Sequence, residues 1–187
     1  MNVLDTIRRY ISDINIALEG LPIDKITEAI DLLGKARLKG KRVFIFGNGG
    51  SAATASHFAS DLSKGAICQG KPRIKAFALT DNIPLLTAWA NDTSYENIFA
   101  EQLENVVEPG DVVIGISSSG NSPNVLKGIK VARARGATTI GFIGFDGGKL
   151  RDLVDIAVIV PSHNMEQVED IHLLLEHVIT TCLRETL

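Results

Sequence analysis

The chain has 187 residues, of which 45% are apolar and 22% charged, and its net charge is −3. That length can bury a sizeable core in one domain, and the slight acidity gives no general attraction to nucleic acid or anionic membranes. Cys68 and Cys182 are too few for a disulfide scaffold and too far apart for a metal spacing, so a reducing, cytoplasmic setting is expected.

From the N-terminus, Leu4, Ile7, Ile11, Ile14 and Leu18 recur at helical spacing, interspersed with Asp5, Arg8, Arg9 and Asp13. This pattern predicts an amphipathic helix over 3–19 and argues against a signal peptide. No apolar run approaches the length of a membrane span. A second helix is predicted over 24–39, ending near Gly40. The first lies outside the α/β repeat that follows, so its apolar face packs either on the core or on another subunit. Arg42–Phe46 then reads as a buried strand, followed by Gly47-Asn48-Gly49-Gly50-Ser51 and a helix over about 52–64. A strand at 74–79, a turn at Asp81-Asn82 and a helix from Pro84 come next, and 95–107 reads as helical. Val112–Ile116 is the third strand, 123–135 a helix, Thr138–Ile143 the fourth strand, Lys149–Leu153 a short helix and Ile156–Val160 the fifth strand. A long helix over about 165–186 ends the chain. Strands that are apolar throughout and alternate with helices predict a doubly wound, open, five-stranded parallel α/β sheet with helices on both faces. One domain over 1–187 is expected, with N-terminal helices over 1–40 serving packing or oligomerisation and an α/β core over 41–187.

Ligands of such sheets bind at the carboxyl ends of the strands. Ser117, Ser118 and Ser119 follow the third strand there, then Gly120-Asn121 and a helix start at Ser122-Pro123, with the Ser122 hydroxyl as expected N-cap. Four hydroxyls in six residues exceed what capping needs, and with a helix N-terminus they make an uncharged phosphate cradle. The glycine loop at 47–51 lacks the third glycine of a dinucleotide fingerprint and the Gly-Lys-Ser/Thr of a P-loop, but it lets backbone approach a ligand. His57 and Asp61 lie four apart on the next helix and share a face, where they can form an ion pair, chelate a metal or transfer protons. On the last helix, Val168, Ile171, Leu175, Val178 and Cys182 form an apolar stripe. Glu169, Leu173 and His177 form a second line opposite, which Leu173 suggests is also covered. His172 reads as structural. Asn91-Asp92 is either a plain helix-end turn or a pair for sugar hydroxyls.

Taken in order, the serine loop, Gly-Asn-Gly-Gly-Ser, Asn91-Asp92 and the terminal helix resemble the sugar isomerase (SIS) domain, and within it the phosphoheptose isomerases, over nearly the whole chain. The resemblance implies conversion of sedoheptulose 7-phosphate to D-glycero-D-manno-heptose 7-phosphate through an enediol. It implies that Asn48, Gly49, Gly50, Ser51, Asn91 and Asp92 contact the sugar and that Ser117, Ser118, Ser119 and Ser122 hold the phosphate. It also implies that His57, Asp61, Glu169 and His177 bind one zinc ion per subunit. Asp61 and His177 would be catalytic, with Asp61 and Glu169 also touching substrate. Homotetramers with sites at subunit interfaces are implied as well. Two positions depart from the family: Asp61 stands for glutamate, a carboxylate shorter by one methylene, and Glu169 for glutamine. A non-catalytic relative, the replication-initiator-associating protein, shares the fold and phosphate loop, and Ser51-Ala52-Ala53 and 88–92 resemble that branch. His177, which that relative lacks, favours an enzyme. A phosphosugar-sensing regulator lacks support, because there is no DNA-binding domain or basic arm.

Overall fold

A computed structural model describes residues 2–186. The elements run α1 (Val3–Glu19), α2 (Ile23–Leu38), β1 (Arg42–Phe46), α3 (Gly50–Ser60), β2 (Lys75–Ala78), α4 (Ile83–Asp92), α5 (Ala100–Val106), β3 (Val112–Ser117), α6 (Pro123–Ala134), β4 (Thr138–Ile143), β5 (Ile156–Ile159) and α7 (Met165–Glu185). All five strands are parallel, in the order β2-β1-β3-β4-β5. The order reverses between β1 and β3, so the crevice at their carboxyl ends is the topological switch point where ligands of doubly wound sheets bind. The loops from Gly47 and from Ser117 both open there.

Two apolar cores flank the sheet. One joins Ile45, Ile114 and Phe142 to Ala55 and Phe58 of α3 and to Val168, Ile171, Leu175 and Ile179 of α7. The other joins Phe46 and Val113 to Phe99, just before α5, to Leu103 of α5 and to Val125 and Ile129 of α6. Buried Arg37 of α2 ties the first layer together, donating to the carbonyls of Leu183 (2.8 Å) and Ala66 (2.7 Å). Helix starts follow their sequence signals: Asn2, Asn82 and Asn164 each accept a first-turn N–H of α1, α4 and α7.

Several expectations need correction. The helix over 52–64 starts at Gly50 and ends at Ser60, where a π-helical turn, Asp61–Gly65, takes over. Residues 95–107 split into a 3-10 turn at Tyr95–Asn97 and the short α5. Lys149–Leu153 is not a helix but a series of turns: Gly147 and Gly148 have φ of +89° and +51°, and the Leu150 N–H is drawn to the Gly120 carbonyl. Asn91 and Asp92 lie within α4 and do not follow it. The apolar stripe of α7 is also misplaced. The helix buries Val168, Ile171, His172, Leu175, Glu176, Ile179, Thr180 and Leu183, while Val178 is 41% exposed. Likewise Leu173 is exposed, and among the described residues nothing covers it. On α1 only Ala17 is buried, and Val3, Leu4, Ile7 and Ile11 point outward. Among the described residues, no helix is long and apolar enough to cross a membrane.

Candidate active site

The serine loop is built by backbone. The Gly120 N–H bonds the Ser117 carbonyl and the Gly144 N–H bonds that of Ser118, while the amide of Asn121 holds Ser119 and Lys149. Gly120 has φ +64° and abuts the Gly147 carbonyl, so the turn requires glycine there. Ser122 does occupy the cap position of α6, but its hydroxyl makes no capping bond and instead accepts from Ser117 Oγ at 3.1 Å. The reason is its neighbour: the first-turn Val125 N–H is taken by Asn124 Oδ1. Ser118 Oγ is buried without a hydrogen-bond partner. A buried orphan hydroxyl among serines at a helix N-terminus is the chemistry an oxyanion satisfies. These residues line a cavity of about 180 Å³ with Asn48, Ser51, Met165 and Glu169, and no lysine or arginine is in its lining.

Across this crevice runs the glycine loop. Gly49, with φ +54° and ψ −123°, needs glycine for its backbone conformation. Gly50 lies against Glu169: a Cβ there would fall 2.2 Å from a Glu169 carboxylate oxygen, so a larger residue would push that side chain aside. Both polar atoms of the Asn48 side chain are engaged. It exchanges reciprocal amide bonds with Asn124 (2.9 and 2.8 Å), and its oxygen accepts a third from the Tyr95 hydroxyl at 3.0 Å. Asn48 therefore bolts the glycine loop to the first turn of α6. Neither Asn124 nor Tyr95 stood out in sequence, where Asn124 reads as an ordinary early-helix residue. Asn91 and Asp92 hydrogen-bond one another at the exposed end of α4 and do not line the serine-loop cavity.

The second half of the site lies along α3 and α7. His57, Asp61, Glu176 and His177 bring one ligand atom each within 4.8 Å of one another. His57 Nδ1 is 3.0 Å from Glu176 Oε1, and His177 Nε2 is 3.7 Å from Asp61 and 3.8 Å from Glu176. The two imidazole rings stand edge to face, 5.0 Å apart. Glu169, expected in this group, is not in it: it sits against Gly50 at the serine-loop cavity, and Glu176 takes its place beside the histidines. The physical reason is helical advance, since Glu169 and His177 are separated by about 12 Å of rise along α7. Burial, then Glu166 and Asp170, pushes the Glu169 carboxyl up from its ordinary value. The Glu176 carboxyl is pushed up to about 8 by burial and then by Asp61. Two imidazoles and two carboxylates suit a divalent metal of borderline softness. His172, buried between Phe142 and the Ile143 carbonyl, is lowered to about 4 by that burial and stays neutral, as its structural reading requires.

A serine-lined crevice at the switch point, joined along one wall to a cluster of histidines and carboxylates, is the arrangement expected of a sugar isomerase domain. The comparisons agree: a sequence model of the SIS domain matches residues 8–144. Phosphoheptose isomerase from Aquifex aeolicus is 39% identical over 177 residues, covering 95% of this chain and 92% of that protein. The probable phosphoheptose isomerase from Thermoplasma acidophilum is 40% identical, covering 95% and 97%. Among solved structures, a phosphoheptose isomerase from Francisella tularensis superposes with TM-score 0.92 at 28% identity over the whole of both chains. That of Neisseria gonorrhoeae superposes with TM-score 0.90 at 29% identity, over 97% and 98%. The chain belongs to the SIS domain family and, within it, to the phosphoheptose isomerases, and it is an isomerase.

Proposed function

We propose that this isomerase interconverts sedoheptulose 7-phosphate and D-glycero-D-manno-heptose 7-phosphate through an enediol, in the cytoplasm, as a homotetramer. The observation that carries the substrate reading is the separation of the two ends of the site. Gly50, at the phosphate end, and His57, at the reactive end, are seven residues apart on α3, which is about 10.5 Å of helical rise. An extended seven-carbon chain with its phosphoester spans about 10 Å, at roughly 1.25 Å of advance per carbon–carbon bond.

In this reading Ser117, Ser118, Ser119 and Ser122 bond the phosphate oxygens, and the α6 N-terminus adds its positive end. Gly49, Gly50 and Ser51 let the chain pass close to the backbone, and Glu169, held toward its neutral form, bonds a sugar hydroxyl. Asp61 takes the proton from C1 and returns it to C2. His177, within 3.7 Å of Asp61, passes protons between the C1 and C2 oxygens, so that the ketone becomes a hydroxyl and the C1 hydroxyl an aldehyde. His57, Asp61 and His177 would hold a zinc ion, whose chemistry when bound is polarisation of the substrate oxygens. The outward apolar residues of α1 and the exposed Leu173, Leu174 and Val178 of α7 support an assembly in which other subunits cover them. Asn91 and Asp92, remote from the cavity of their own chain, would then serve a neighbouring site.

The test is to incubate the purified protein with a panel of ketose phosphates, with and without chelator, and to follow aldose formation by NMR. Seven-carbon turnover is expected, and it should fall at least about 100-fold in both Asp61→Asn and His177→Gln with fold and assembly intact. Full activity in both variants would sink the catalytic assignment, and no conversion of any seven-carbon substrate would favour a binding module.

A further inference from the structure

Glu176 is the most unusual side chain in the molecule. Its residue is wholly buried, yet among the described residues no hydrogen bond reaches either carboxylate oxygen. A buried carboxylate without donors is among the costliest arrangements a fold can keep unless a cation meets it. No lysine or arginine does so. What faces it is His57 from α3, 3.0 Å away, with His177 of its own helix at 3.8 Å and Asp61 of the π-helical turn inside the same 4.8 Å group. The position implied by resemblance for a fourth metal ligand, Glu169, has been drawn off to Gly50 and the serine-loop cavity.

We infer that Glu176, and not Glu169, completes the metal site of this chain, and that the ion thereby staples α3 to α7. His57 and Asp61 come from α3 and the turn that continues it, and Glu176 and His177 from α7, so a bound divalent ion links the two helices that form one wall of the substrate crevice. The ion would then serve folding as well as chemistry, because it gives the buried carboxyl a cation partner beyond the half-exposed His57. This rests on the metal reading of the site given above.

The discriminating experiment uses full-length protein stripped of metal. Zinc affinity is measured by competition with a chromophoric chelator, and thermal unfolding is followed with and without zinc. Wild type should bind zinc and melt higher with it. Glu176→Gln and Glu176→Leu should weaken zinc at least about 100-fold, whereas Glu169→Gln should change it by no more than about threefold. Without zinc, Glu176→Leu should melt above metal-free wild type, since it replaces a buried carboxyl that has no hydrogen bond, and zinc should no longer raise its melting point. Zinc affinity unchanged in Glu176→Gln, or lost in Glu169→Gln, overturns the inference alone. Wild type that binds no zinc overturns the metal reading along with it. Should the leucine variant not fold, the near-isosteric glutamine variant still decides the ligand.

Discussion

The amide pair between Asn48 and Asn124 offers a direct test of how the phosphate end of the site is held. Asn124→Ala deletes both reciprocal bonds, 2.9 and 2.8 Å long, and the bond from the Val125 N–H to Asn124 Oδ1. At about 1 kcal/mol net for each bond lost, the cost is roughly 2–3 kcal/mol. For a chain of this size that is a fall in melting temperature of about 5–10 °C. Asn48 would keep only the Tyr95 hydroxyl, and the glycine loop would lose its tie to the first turn of α6. The sugar phosphate should then meet a less ordered cradle, with KM raised about tenfold, worth 1.4 kcal/mol, and kcat little changed because Asp61 and His177 are remote from the pair. Asn124→Asp gives a finer contrast. An acceptor oxygen replaces the donor that faces Asn48 Oδ1, so the variant should be weakest at neutral pH and recover as acid protonates the new carboxyl. Steady-state kinetics and melting curves check both variants. A lower melting temperature with unchanged KM would show that the pair supports the fold without ordering the cradle, and no change in either would refute the reasoning.

Two further outcomes follow from backbone and burial. Gly120→Ala places a Cβ 2.1 Å from the Gly147 carbonyl oxygen at φ +64°, so it should cost about 3 kcal/mol or more and abolish competitive inhibition by inorganic phosphate; wild-type melting and inhibition would refute this. His172, lowered to about 4 by burial, leaves the unfolded chain binding the proton first as pH falls. Stability of the metal-free protein should therefore be intact above about pH 6.5 and fall toward pH 4 by up to about 3 kcal/mol. In urea titrations across that range, His172→Gln should flatten the dependence, and an unchanged slope would show that other groups carry it.

Much of the fold was legible because parallel strands buried on both faces must be apolar throughout. Arg42–Phe46, Val112–Ile116 and Thr138–Ile143 needed no other signal. The meeting of the serine and glycine loops was legible too, since both follow strands at their carboxyl ends. The reactive end was only half so. His57 and Asp61 share a helical face at spacing four, but Glu176 was missed because the apolar stripe of α7 was phased on Val178 and Cys182. The helix instead turns His172, Glu176 and Thr180 inward and leaves Val178 and Leu173 outside. Apolar residues reserved for another surface and polar residues reserved for a site break the same rule in opposite directions, and α7 carries both. The π-helical turn at Asp61–Gly65 has no local signature. It follows from tertiary packing, where a Cβ on Gly65 would lie 3.1 Å from Thr180 of α7.

That packing also explains why departures from the family pattern at 61 and 169 need not disable the site. α3 and α7 touch at two levels: Gly50 meets Glu169, and His57 meets Glu176. The step is seven residues on both helices, so the two contacts repeat in phase, as they do for helices packed at a shallow angle. One level faces the serine-lined cavity and the other lies in the cluster of histidines and carboxylates. Their separation is thus set by helix rise and not by loops, and a rigid helical pair fixes length better than any flexible element. The shorter Asp61 begins a π-helical turn, and Glu176 of the neighbouring helix adds a second carboxylate to the same cluster. An insertion in α3 between Gly50 and His57 would advance the lower level by about 1.5 Å and rotate it by about 100°, taking His57 away from Glu176 while leaving the cradle untouched. The spacing of these two contacts therefore depends on one structural quantity, the register of α3 against α7.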